Sequence, residues 1–181
     1  MFGPVMIDAP KPDEYAPSHA DYIRRVPPGP ILDTLVRQSD EVTTLLAGLS
    51  DGQALFRSGP KEWSVKEIVG HMIDVERFYF HRAFTISRND PAPLPGFEQE
   101  DYVREAGFDA RPLADLLEEF RLLRRANVVA LRHLTPAASA RRGTADGKFI
   151  TARALVYILA GHVDHHLESL RTKYLVPANR P

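Results

Sequence analysis

From about residue 30 onward, apolar side chains recur every three or four positions in four long stretches, with polar residues between them. Ile31, Leu35, Val42, Leu45, Leu46 and Leu49 predict a first helix from about Pro30 to Leu49, and Ser50-Asp51-Gly52 stops it. The second helix opens on a capping box, Ser64-Val65-Lys66-Glu67, with Trp63 placed to pack onto Ile68 as a staple. It runs to about Ser87, with Val65, Ile68, Met72, Val75, Phe78, Tyr79 and Ile86 on its apolar arc. A third, Pro112 to Leu134, carries Leu113, Leu116, Leu117, Phe120, Leu123, Val128 and Leu131, and Asn127 is the one polar residue on that stripe. The fourth spans about Thr151 to Leu175, with Pro177 closing the fold.

The connections complete the outline. Residues 88–111, with Pro91, Pro93, Pro95, Gly96 and Gly107, form a connection too long for adjacent antiparallel helices. It can carry the chain back along the bundle, so the third helix could run parallel to the second. In the link 136–150, Asp146-Gly147 is the signal of a short hairpin. The expected fold is all-α: a four-helix bundle in up-down-down-up order, filling residues 30–181. Residues 1–29 form an N-terminal arm, since the first 30 positions hold seven of the fifteen prolines and no helical period. Two readings stay open for it: an extended lead-in anchored across the body by Tyr15, Tyr22 and Ile23, or a flexible tail.

Composition narrows the function. A net charge of −1 without a basic block argues against nucleic acid as the main partner. No cysteine is present, so any transition metal must use nitrogen and oxygen ligands. Neither a signal-peptide pattern nor an apolar run long enough to span a bilayer occurs, which makes a cytoplasmic location the expectation and a membrane partner unexpected.

The candidate chemistry lies in Ala160 to Leu170, AGHVDHHLESL. His162 and His166 stack one turn apart on one helical face, within the arc of Leu155, Ile158, Leu159, Val163 and Leu170. A single buried histidine is usually a satisfied core residue. Two that point inward need partners, because an unpaired buried ring costs on the order of 1–3 kcal/mol. His71 falls inside the margin of the second helix's arc, beside Val75 and Phe78. Three imidazoles from two helices, with a remaining position for water, match a catalytic zinc-type site. Asp74, one turn on, could accept the distal N–H of His71, although a solvated carboxylate is the plainer reading. His165 lies at the stripe's edge and is expected to support the ligands or face solvent; Asn127 is a further supporting candidate. Glu67 is explained by the cap. His19, His81 and His133 are expected at the surface.

WSVKEIVGHMIDVER (Trp63 to Arg77) and AGHVDHHLESL resemble the two signature segments of the DinB/YfiT-like superfamily, and PLPGFEQEDY between them resembles one branch of it. The resemblance covers roughly residues 30–175. It implies an up-down-down-up bundle, often a homodimer, with a three-His site for zinc or nickel at His71, His162 and His166. It further implies low-molecular-weight thiol chemistry of the bacillithiol or mycothiol S-transferase type, acting on a small electrophile. A metal-dependent hydrolase and a non-catalytic, metal-binding stress-response module are the alternatives. The reactive species would be a bound water or thiolate, with no other catalytic residue assigned. A bundle without metal would instead pair its histidines with one another or with carboxylates. Arginines outnumber lysines 18 to 5, and some could bind a substrate carboxylate.

Overall fold

The computed structural model describes residues 6–176; Pro177, expected to close the fold, lies outside them. Four long helices form the body: α2 (Ile31–Leu46), α3 (Val65–Ser87), α5 (Leu113–Leu131) and α7 (Ala152–Ser169). Between and before them lie α1 (Ala20–Arg25), α4 (Gln99–Ala106), α6 (Pro136–Ser139) and the strands β1 (Arg142–Ala145) and β2 (Lys148–Thr151).

Side-chain bridges give the helix directions. Early α3 meets the start of α5 through Lys66 Nζ and the Arg111 carbonyl at 2.7 Å, and later α3 meets later α5 through Glu76 and Asn127 at 2.8 Å. These two helices are therefore parallel. Gln38 of α2 bonds the Ala160 carbonyl of α7, and Glu41 pairs with Arg171, so α2 and α7 are parallel as well. Asp51 accepts from the Leu113 amide while Gln38 reaches Arg124, which makes α2 and α5 antiparallel. The order is up-down-down-up, with α3 and α7 packed antiparallel as the most extensive helix pair.

Local chemistry explains the boundaries. Ser64 Oγ accepts from the Glu67 amide at 3.0 Å and the Glu67 carboxylate accepts from the Ser64 amide at 2.8 Å, the expected capping box. Asp146 and Gly147 both adopt positive φ (52° and 65°), the two-residue turn that matches strand twist. β1 and β2 pair antiparallel from Arg142↔Thr151 to Ala145↔Lys148. Past Ser169, α7 loosens into a π-helical turn, Leu170–Tyr174, where the Leu175 amide bonds the Leu170 carbonyl at 2.9 Å.

Two elements depart from expectation. The 88–111 connection contains α4, an eight-residue helix in which only Val103 is buried, ended by Gly107 in the left-handed region (φ 62°). The proline-rich arm is extended only between short helical turns, and its last turn is the helix α1. Tyr15, Tyr22 and Ile23 pack against the core, as the anchored reading required.

The apolar core divides into two clusters. One holds Leu35, Val75, Val128, Leu155 and Leu159; the other holds Val42, Met72, Leu116, Phe120, Val163 and Leu167. At the level where they meet, each helix turns a buried polar side chain inward: Gln38 from α2, His71 and Glu76 from α3, Arg124 and Asn127 from α5, His162 from α7. This polar belt positions the candidate site.

Candidate metal centre

His71, His162 and His166 converge. His71 Nε2 lies 3.0 Å from His162 Nε2, and His166 Nε2 lies 3.1 Å from the same atom. All three rings are buried, at 2%, 6% and 9% exposure. The antiparallel crossing of α3 and α7 sets His71 opposite His162, and the i, i+4 spacing adds His166 one turn along.

Hydrogen bonding does not satisfy this arrangement. A neutral imidazole carries one N–H, and the single lone pair of His162 Nε2 cannot accept two linear bonds. If it donates to one neighbour, the other contact is left unfavourable. Two nitrogens bound to one tetrahedral ion at 2.0–2.1 Å would sit about 3.3 Å apart, close to the spacings found. Burial pushes the His71 pKa down to about 4, with the nearby His165 as a smaller cause. His162 and His166 are likewise held well below the ordinary imidazole range, first by burial and then by their histidine neighbours. All three are therefore neutral at pH 7, with lone pairs available. Among the described residues no carboxylate or further imidazole joins the three. The residues present fit a divalent ion with an open position.

The surroundings differ in part from the sequence reading. Asp74 does not hold His71: among the described residues no hydrogen-bond partner reaches the buried His71 Nδ1. Asp74 is half-buried near Arg77, Arg111 and Glu119, and burial raises its pKa. Its position on α3 turns it towards α5 rather than α7. Asn127 does not support a ligand either; its Nδ2 donates to Glu76 Oε1 at 2.8 Å, inside the buried network with Arg124. His165 is half-buried with its ring 5.1 Å from that of His166, and it borders the cleft without joining the three. His81 and His133 are exposed as expected, but His19 is half-buried against Tyr79, with ring centroids 6.4 Å apart.

Other cleft residues escaped the sequence reading. Trp63 stacks obliquely on His71, centroids 4.6 Å apart, and its indole N–H donates to Glu100 of α4 at 3.2 Å. The Tyr174 hydroxyl donates to the Trp63 carbonyl at 3.0 Å, which ties the π-helical turn to this wall. The three histidines open into a cleft of about 360 Å³ bordered also by Tyr22, Lys61, Glu62, Gln99 and Lys173.

A family model for the DinB superfamily matches residues 34–170, which include all three histidines. The chain belongs to the DinB superfamily. Among solved structures, YfiT from Bacillus subtilis superposes with a TM-score of 0.68 at 16% identity, over 78% of this chain and 84% of that one. YfiT is described as a probable metal-dependent hydrolase with an unusual four-helix bundle topology. No curated protein matches the chain by sequence. Among the described residues, no helix of this DinB superfamily member is long and apolar enough to cross a membrane.

Proposed function

We propose that His71, His162 and His166 hold one divalent ion, zinc or nickel, and that the site is catalytic. The observation that carries this reading is the meeting of three buried, neutral Nε2 atoms at the floor of an open cleft. A purely structural site would normally be closed by a fourth protein ligand. An ion held by three neutral imidazoles keeps its positive charge and supplies Lewis-acid activation of a water or a thiol near neutral pH.

The chain's own residues then bind and orient. Trp63 shields the outer face of His71 and fixes Glu100 through its indole N–H. Glu62 and Glu100 border the cleft but do not join the ligand cluster. That arrangement suits a low-molecular-weight thiol, whose thiolate needs no separate base to attack an electrophile. The reaction we favour is transfer of such a thiol, of the bacillithiol or mycothiol type, to a small electrophile. The likeness to YfiT favours a second reading, hydrolysis of a polarised bond, in which Glu62, Glu100 and His165 of the cleft are the candidates to take a proton.

A screen of metal-loaded protein against electrophiles, with bacillithiol, mycothiol and glutathione in turn, separates the two. Thiol-dependent loss of electrophile is the expected result. No turnover with any thiol, alongside hydrolysis of an ester or amide panel, would replace transfer with hydrolysis.

A further inference from the structure

Two aromatic rings of the cleft, Trp63 and Tyr22, pack against the three histidines, and only one comes from the family-matched stretch. Trp63 covers His71 from within it. Tyr22 covers His162 from α1, which precedes residue 34. The Tyr22 ring lies 5.6 Å from that of His162 and 5.9 Å from that of His165, edge-on to both.

Tyr22 is held there by a built contact. A Cβ at position 161 would collide with the Tyr22 carbonyl, so only glycine lets α1 settle onto α7 one residue before His162. Ile23 and Val26 pack on the core beside it, and Arg25 pairs with Glu168. Further back, Glu14 accepts from Arg153 Nε at 2.6 Å and from Thr151 Oγ1 at 3.1 Å, while the Tyr157 hydroxyl donates to the Ile7 carbonyl. The arm is thus fastened to α7 at several stations, and its aromatic residue at the cleft is Tyr22.

We propose that Tyr22 is a specificity-determining wall of the cleft: together with Trp63 it favours a flat aromatic group, such as one carried by the small electrophile, held beside the metal, and Gly161 is required to seat it. The inference rests on the metal reading above. Contact with one aromatic ring corresponds to about three- to tenfold in affinity. A linear ligand of two or three atoms offers no aromatic face to the wall.

The test uses cobalt-loaded full-length protein titrated with thiophenol and with azide, read by visible absorption, with thermal unfolding of each variant alongside. Tyr22→Ala is expected to weaken thiophenol about three- to tenfold and leave azide unchanged, while Tyr22→Phe stays within about twofold of the parent. Tyr22→Leu, which keeps the apolar bulk under α1, serves if the alanine variant does not fold, and it should show the same selective loss. Gly161→Ala is expected to reproduce that loss and to speed tryptic cleavage after Arg24 and Arg25. Unchanged thiophenol affinity in cobalt-loaded Tyr22→Ala or Tyr22→Leu, or equal weakening of both probes, would overturn the proposal. Failure of the parent protein to take up cobalt would overturn the metal reading beneath it.

Discussion

The polar belt across this bundle has two halves that solve the same problem differently. In one half, Arg124 of α5 and Glu76 of α3, each 1% exposed, lie 2.8 Å apart. Asn127 donates to the same carboxylate, and Gln38 links Arg124 to the Ala160 carbonyl. Opposite charges meet within the protein, although among the described residues Arg124 Nε and Nη2 and Glu76 Oε2 make no hydrogen bond beyond that ion pair. In the other half, three neutral imidazoles face each other through Nε2 atoms, and both contacts fall on His162 Nε2, which cannot serve both as linear hydrogen bonds. Both halves are equally buried, so burial alone does not mark a functional site. The difference is charge: one set compensates its charges within the protein, and the other gathers ring nitrogens that a cation would draw together.

The comparison can be broken first by removing one member from each half. Glu76→Ala leaves the buried Arg124 charge uncompensated and is expected to cost about 3–5 kcal/mol, with metal content per folded chain unchanged. His166→Ala should do the reverse, losing metal while leaving the stability of chelator-treated protein little altered. Denaturant unfolding beside elemental analysis reads both. Similar profiles for the two variants would erase the distinction.

Next in size is the response to acid. With the folded pKa of His71 near 4 and an ordinary value of 6.5, the unfolded chain binds the extra proton between those limits. Stability of the metal-free protein is therefore full above pH 6.5, falls as pH drops towards 4, and levels off below. His71 alone accounts for about 3 kcal/mol, and His162 and His166 act in the same direction. Protons compete for the ligands over the same lowered range, so metal should survive at pH 6 and leave nearer pH 4. Denaturant midpoints that do not change between pH 7 and 4.5 in chelator-treated protein would show that the rings are not buried neutral.

Smaller effects sharpen the boundary of the site. Ser64→Ala removes the cap that starts α3 and is expected to cost about 1 kcal/mol, measured as a lowered unfolding midpoint. Asp74→Asn should stay within about 0.5 kcal/mol and leave metal affinity unaltered, because Asp74 does not reach His71. A weakened metal site in that variant would restore the supporting role that its spacing first suggested.

Much of this was legible in the sequence, and the misses have physical causes. The capping box, the Asp146-Gly147 turn and the helical faces of His71, His162 and His166 are local signals, carried by spacing within one element. Trp63 was legible as a cap neighbour, but its place on His71 goes with its contacts to Glu100 and Tyr174, which spacing along α3 does not encode. The helix α4 is polar on most sides and follows three prolines, so no periodicity announced it. Arg124 and Glu76 carry no local sequence signal of burial, because charged residues seldom bury and only their pairing across two helices makes it tolerable. Tyr22 reached the cleft through a proline-rich arm without helical pattern, and the cue available was the glycine at 161 that receives it.

The central claim is that three imidazoles share one cation and leave a position open. X-ray absorption at the metal edge, on protein purified without a histidine tag, tests it most directly. The account predicts about one zinc or nickel per chain with three imidazole nitrogens near 2.0–2.1 Å and one exchangeable light-atom ligand. It also predicts that His162→Ala protein prepared the same way carries no metal. Equal metal content in parent and variant, or a parent protein that binds no divalent ion, would contradict it.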